Sequence, residues 1–556
     1  MSDQSSPSAQ SRALFFLLAA LLVCSPFFRA GGEPLASLAL QLLAIPTLLL
    51  SLWSPAALRF TPLQAAAAAS LILIPVIYLI PLPADWVDEL PGRELYRQGF
   101  ALLNAGDAGS FKPLSTQPHA TLATALAMLP PLAVFLGVRR LDHGGCLLLV
   151  HLLLGIAVLQ AILGLIQYGS AQSGSTLFAV ADGHTHSATG TYPNRNHLGG
   201  LFEMTLPLAL ALLLSAAGRG LDRANGERDR WRRRAAFLSS HRGGAAIAYA
   251  IVSTVLLVGV IFTRSRAGIT LTMLGLVLAT LLFAGRIGGR NVYGPTGTLV
   301  AIALGFGTAI GLAPVIARFS MQGLLDDNRI PLFSATLTGI GEWLPMGSGP
   351  GTYPHVFPAF QPLELGQWFV NRAHNDYLET LFTSGVLGGA LIAFGLALYL
   401  AQWVRLIRER NDRSPSRFLQ IGAGIGLLLV ALHEFVDYNL HTPANQVVFA
   451  LLAGLFFLPP HHLDRPVSRR HSLEKEPHPG GEIAGQSYEI PAAKMNSHRT
   501  SLDIAGGMGS PSRPVTPQEQ IPNPFLDPFK GQSDDHAASS VRSGSENPPS
   551  PDKERS

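Results

Sequence analysis

Apolar residues in this chain fall into blocks of about 20 residues separated by short polar connections, the length at which a helix crosses a bilayer. Twelve such blocks stand at roughly 13–28, 35–52, 64–82, 120–138, 145–168, 198–217, 244–263, 268–285, 297–317, 377–403, 417–435 and 446–459. Lipid offers no outside hydrogen-bond partner, so each block is expected to close its backbone as a helix. With the N-terminus inside, Arg139–Arg140, the run "RANGERDRWRRR", Arg286 with Arg290, and "RLIRERNDRSPSR" all fall in inner loops. Short arginine-rich loops are retained in the cytoplasm, and that agreement supports a count of about twelve. The pattern predicts an all-α polytopic membrane protein.

Composition strengthens this reading. Only 14% of the 556 residues are charged, whereas a soluble domain carries roughly a quarter, and the mean hydropathy is +0.29. The formal charge of +4 says little as a total, and no nucleic-acid partner is expected. Cys24 and Cys146 sit in or beside apolar blocks and imply no disulfide framework. The first block, "ALFFLLAALLVCSPFF", has no small-residue cleavage site, and a second block soon follows it. It reads as a retained helix. Residues 1–11 form a cytoplasmic N-terminus, 12–459 the transmembrane domain, and 460–556 a cytoplasmic tail rich in Pro, Ser, Gly and charge. Such a tail, without apolar periodicity, reads as disordered.

This topology exports three long loops, 83–119, 169–197 and 318–376, the last between the ninth and tenth spans. Arginine is scarce on that side, so Arg195 in "NRNHLGG", Arg264 and Arg266 in "TRSRAG", Arg318, Arg329 and Arg372 stand out. For Arg264 and Arg318, at helix ends, snorkelling to headgroups is an equal alternative. Arg266 lies in a very tight connection, and guanidinium suits phosphate through paired donors. "NRNHLGG", "SRAG" and "NRAHNDYLE" each precede a helix running inward. The free N–H groups and dipole at such ends attract anions, and three of them beside arginines would suit a pyrophosphate.

The stretch "NRAHNDYLE", residues 371–379, packs polar groups against the start of a span. Asp376 and Glu379 have the spacing of a capping box, with Asn375 sharing the cap. His374 is left just outside the helix as a candidate general base. His433, Glu434 and Asp437 have spacings that share one face at the outer end of a later span. They read as a network bracing the site, with a proton pathway as second reading. "GSGPG", Gly347–Gly351, lacks the strand–helix frame of a nucleotide loop and instead bends the backbone close to a glycan or to the bundle. Trp368 is open between stacking on a sugar and packing in the loop. His184 and His186, and the pair Asp326–Asp327, make weak metal sites.

Taken together, these pieces resemble the bacterial O-antigen ligase and polysaccharide polymerase superfamily. The ligase pattern of His, then Asn, Ser or Gln, nine residues, Gly, two residues and a small residue is met by His374, Asn375, Gly385 and Gly388. "GLIQY", "NRNHLGG", "SRAG", "PMGSGPGTYPHVF" and "HEFVDYNLHTPANQ" are similar to other family segments, over roughly residues 110–460. The resemblance implies a membrane glycosyltransferase of the GT-C class in the bacterial inner membrane, working on its periplasmic side without a metal or other cofactor. Its donor would be a glycan on undecaprenyl pyrophosphate, among membrane lipids. Its acceptor would be lipid A–core (ligase) or a second lipid-linked glycan (polymerase). By motif, His374 takes the acceptor proton, and Arg266 and Arg329 neutralise the departing pyrophosphate. Arg372, Asn375, Arg264, Asn196, His197 and Arg195 are the expected substrate-binding residues. A transporter or flippase of lipid-linked glycans is the competing class. It predicts midplane charges or paired broken helices, whereas the conspicuous polar residues here gather at outer ends.

Overall fold

The structure is a computed structural model, and it describes residues 9–53, 61–102, 111–172, 187–218, 236, 239–284, 329–366, 369–409 and 414–459. The expected span at 297–317, Arg286, Arg290, Arg318, His184, His186, Asp326–Asp327, Trp368, the run at 223–234 and the tail at 460–556 lie outside the described residues.

Eleven of the twelve apolar blocks are helices: α1 (Ala9–Cys24), α2 (Pro34–Trp53), α3 (Pro62–Leu79), α4 (Pro118–Val138), α5 (His143–Gln172), α6 (Arg195–Gly218), α7 (His241–Thr263), α8 (Arg266–Ala284), α10 (Asp376–Arg408), α11 (Pro415–His433) and α12 (Pro443–Phe456). Among the described residues, nine are long and apolar enough to span a membrane, and α1 and α12 are shorter. A further helix, α9 (Arg329–Trp343), lies within the long segment before α10, so that expected loop is partly helical. The architecture is that of a multi-pass membrane protein.

Helix α6 is the centre of the bundle, in contact with α5, α7, α8, α11 and α12. Its span is 89% buried, against 17% for α3, which marks α3 as a peripheral helix with its apolar side chains turned outward. Close approach of α11 to α6 comes from two small residues one helical turn apart. A Cβ on Gly422 would stand 2.7 Å from the Pro207 carbonyl, and one on Gly426 2.7 Å from that of Met204. Bare glycine surfaces let two backbones meet this way in lipid. That contact sets the end of α11 beside the start of α6.

The segment from 81 to 117 packs against the segment that follows α9. Pro81–Pro83 (β1) pairs antiparallel with Phe111–Pro113 (β2). Beyond β2, the Thr116 amide donates to the Ser348 carbonyl at 2.9 Å, and the Thr121 hydroxyl to that of Pro350 at 2.8 Å. Buried Arg93 donates to the Leu114 carbonyl and stacks on Trp343, 5.2 Å from the ring centroid. Burial lowers the Arg93 pKa to about 10.

Candidate functional site

The half-helix that opens α10 carries most of the site, and its geometry follows from two interruptions. Asn375 is the N-cap: its Oδ1 accepts the amides of Tyr377 and Leu378, both at 3.1 Å, and its Nδ2 donates to the Phe435 carbonyl at 2.9 Å. Asn375 thus caps alone, in place of the expected Asp376–Glu379 box. Glu379 instead reaches back past the cap, accepting the Ala373 amide at 2.9 Å and the Arg372 guanidinium at 2.7 Å. Between these two holds, His374 is forced to φ 51°, a left-handed conformation that costs a β-carbon-bearing residue of order 1–3 kcal/mol.

The second interruption is Gly385, at φ 51° and ψ −139°. A β-carbon there would stand 2.1 Å from the Pro345 carbonyl, so the position admits glycine alone. The irregular segment 345–349 crosses the break and satisfies the backbone it frees. Val386 donates to Pro345, Ser348 to Phe382 and Gly349 to Thr383, at 2.9, 3.2 and 2.7 Å. The spacing from His374 to Gly385 therefore measures one short half-helix, from its cap to the strap that holds its far end. "GSGPG" is part of that strap, bending the backbone against the bundle.

Four candidate residues meet at one carboxylate that the sequence did not assign to them. Asp437, fully buried, lies 3.4 Å from His374 Nδ1 through Oδ1 and 3.4 Å from Arg329 Nη2 through Oδ2. Asn196 also donates to Oδ2, and His197 Nε2 is 3.9 Å from Oδ1. Arg329 is anchored further by donating to the Val436 carbonyl. Tyr438 stands edge-on between the rings of His374 and His197, at 4.8 and 4.7 Å. Burial would raise the Asp437 carboxyl, but the adjacent His374 ring and the Arg329 charge outweigh it. The carboxyl is held well below the usual carboxylate range, so it is an anion. Burial and the Asp437 charge push the Tyr438 phenol up to about 12.

A second cluster adjoins the first. His441 is 2.9 Å from Asp376 and 3.3 Å from Glu379. Glu434, 1% exposed, is driven well above the carboxylate range by burial and by the Asp376 charge and hydrogen bond. His433, Glu434 and Asp437 were expected on one face of a span. Instead α11 ends at His433, and the turn after it sends the three to Glu203, Asp376 and His374. The expected anion site at the start of α10 is likewise filled by the chain's own Asp376 and Glu379.

The remaining candidates flank these clusters. His197 is 3% exposed and bonded to Thr442 at 2.9 Å, so it braces Asp437 from within. Arg195 is the first residue of α6, Arg264 the left-handed cap of α7 at φ 56°, and Arg266 the first residue of α8. The first turn of α8 lies against Glu203, since a β-carbon on Gly268 would stand 3.3 Å from its Oε1. Glu203 itself is 3.0 Å from His433 Nδ1, both fully buried. Gln167 of "GLIQY" accepts the Gly190 amide and donates to its carbonyl, at 2.8 and 2.7 Å, fixing the approach to α6. Among the described residues, no group of three or more His, Cys, Asp or Glu side chains is set to hold a metal ion.

The sequence reading set Glu434 and Asp437 in a network bracing the site without pairing them to the His374 segment, and it did not single out His441, although "HEFVDYNLHTPANQ" drew notice. No comparison with curated proteins gives a match. Residues 251–393 match the model of the O-antigen ligase family, Wzy_C, a stretch that holds Arg264, Arg266, Arg329, Arg372, His374 and Asn375. That match supports membership of this chain in the O-antigen ligase superfamily.

Proposed function

We propose that the chain transfers a glycan from undecaprenyl pyrophosphate to a hydroxyl of lipid A–core at the periplasmic face of the inner membrane. The observation that carries this reading is His374 Nδ1 at 3.4 Å from a buried Asp437 anion that Arg329 also grips. A carboxylate at Nδ1 fixes the imidazole tautomer with its proton there and leaves Nε2 to act as base. In the proposed step, Nε2 takes the acceptor hydroxyl proton as that oxygen bonds to the anomeric carbon. The bond from that carbon to the pyrophosphate oxygen breaks, and undecaprenyl pyrophosphate leaves with the electron pair.

Charge builds on the leaving group as this bond lengthens, so fixed cations stabilise the transition state more than the ground state. Arg266 and Arg329 take that role. Arg329 also has donors engaged at Val436 and Asp437, so it positions the base as well. Arg372 and Asn375 hold the chain on either side of His374 rather than reaching for substrate. Asn196 and His197 support Asp437. Arg195 and Arg264 are assigned to the donor pyrophosphate from their places at the start of α6 and the end of α7. The reaction needs no divalent cation, and transfer is expected to persist in excess chelator.

Deleting the gene and resolving surface glycan on gels tests the assignment. A ligase leaves bare lipid A–core and accumulates long lipid-linked polymer. A polymerase instead leaves one capped repeat unit, or loses only secreted polymer. Transfer by purified protein in detergent, where no two compartments exist, separates either enzyme from a transporter.

A further inference from the structure

The residue next to His374 on each side is pinned, and one side chain joins the two holds. On the N-terminal side, Glu379 binds the Ala373 amide and Arg372. On the C-terminal side, Asn375 donates to the Phe435 carbonyl and the Asp376 amide to that of Glu434, at 2.9 and 3.0 Å. His441 sits between, with Nδ1 2.9 Å from Asp376 Oδ1 and Nε2 3.3 Å from Glu379 Oε1. Both ring nitrogens face carboxylate oxygens, so both contacts are attractive only when each nitrogen carries a hydrogen.

The charged groups around this ring are Asp376 and Glu379 from α10 and Arg372 from the segment before it, with Glu434 on the ring's own turn beside Asp376. With Glu434 neutral, two carboxylates stand against Arg372 and an imidazolium, and the charges cancel. Glu379 is 3% exposed, a depth at which an unbalanced carboxylate is strongly destabilising.

We propose that His441 is a positioning residue for transfer, clamping the half-helix 376–384 onto the turn 434–441 and thereby holding His374 against Asp437. This rests on His374 being the base. Burial and Arg372 lower the His441 pKa, but Asp376 and Glu379 outweigh them and raise it from 6.5 to about 9. A raised pKa means that the clamp is complete below about pH 6.5 and is lost as pH rises through about 9.

The test measures kcat and donor KM from about pH 6 to about pH 10, in proteoliposomes supplied with lipid-linked O-antigen and lipid A–core. His441→Ala is expected to lower kcat on the order of 10- to 10²-fold, with donor KM within about threefold, because a misplaced base slows chemistry more than binding. Wild-type kcat is expected to fall with a midpoint near 9, and His441→Lys to recover part of the lost rate and shift that fall upward. Wild-type kcat in His441→Ala, a loss confined to KM, or an alkaline fall unchanged in His441→Lys overturns the proposal. Should His441→Ala be missing from membranes, the wild-type and His441→Lys profiles decide. An active His374→Ala control refutes the base itself; an inactive one beside a fully active His441→Ala refutes the clamp alone.

Discussion

At the end of the bundle where α12 finishes, Arg139 donates to the Phe457 carbonyl at 2.7 Å and Arg140 to that of Ser51 at 2.8 Å. Gln402 and Gln420 close the neighbouring carbonyls of Phe456 and Leu458. At the end where α12 begins, Arg329 and Arg372 grip carboxylates on either side of a histidine. Burial pushes the Arg139 pKa down to about 10, the cost of placing a cation among the Phe457 carbonyl, the Gln64 amide and the Phe135 ring. The first end is built mainly of terminal carbonyls finding donors, as any buried helix end must, with one arginine–carboxylate pair, Arg417 and Glu409. The second keeps charge beside a strained His374 backbone, a cost that folding alone does not explain. The same residue type caps backbone carbonyls at one end and pairs with carboxylates beside His374 at the other.

Substitutions can break this contrast, beginning with the largest effect. Asp437→Asn is expected to slow transfer on the order of 10²–10⁴-fold, the range of general-base contributions, because the amide no longer holds a proton on Nδ1. Thermal stability in detergent should change far less than the rate; equal losses in both would make Asp437 merely structural. Arg329→Lys is expected to cost on the order of 10²-fold. One ammonium cannot reach Val436 and Asp437 as a fork does, and a wild-type rate would remove Arg329 from the site.

Gly385→Ala sharpens the comparison by acting on the scaffold. The 2.1 Å approach to Pro345 must open, tilting the half-helix, and the yield of folded protein in membranes should fall severalfold. Recovery of wild-type yield and activity would mean that the break tolerates a side chain. Arg139→Gln, at the carbonyl-capping end, has the smallest expected effect on chemistry. Loss of one charge-assisted bond costs about 1–3 kcal/mol, read as a lower melting temperature, with kcat within about twofold. A large kcat loss in stable protein would erase the distinction between the ends.

The bundle was legible because lipid enforces a simple rule, and block length alone located the eleven helices that match apolar blocks, though not α9. The His374-to-Gly385 spacing was legible as a motif, but its meaning required the strap at 345–349. Asp437 could not be tied to His374, since the two lie far apart in sequence and meet where the start of α10 bonds to the turn after α11. Asp376 and Glu379 matched a capping box because local spacing cannot reveal that Arg372 and His441 compete for the same carboxylates. Helical pattern beyond His433 placed Glu434 and Asp437 on one face, whereas the helix stops there and the turn fans them apart.

The most direct test is transfer by His374→Ala, measured in proteoliposomes at the same membrane level as wild type, from lipid-linked O-antigen to lipid A–core. The expected result is intact insertion with no detectable product. Product formed at the wild-type rate would contradict the assignment of His374 as the base, and with it the role given to Asp437 and Arg329.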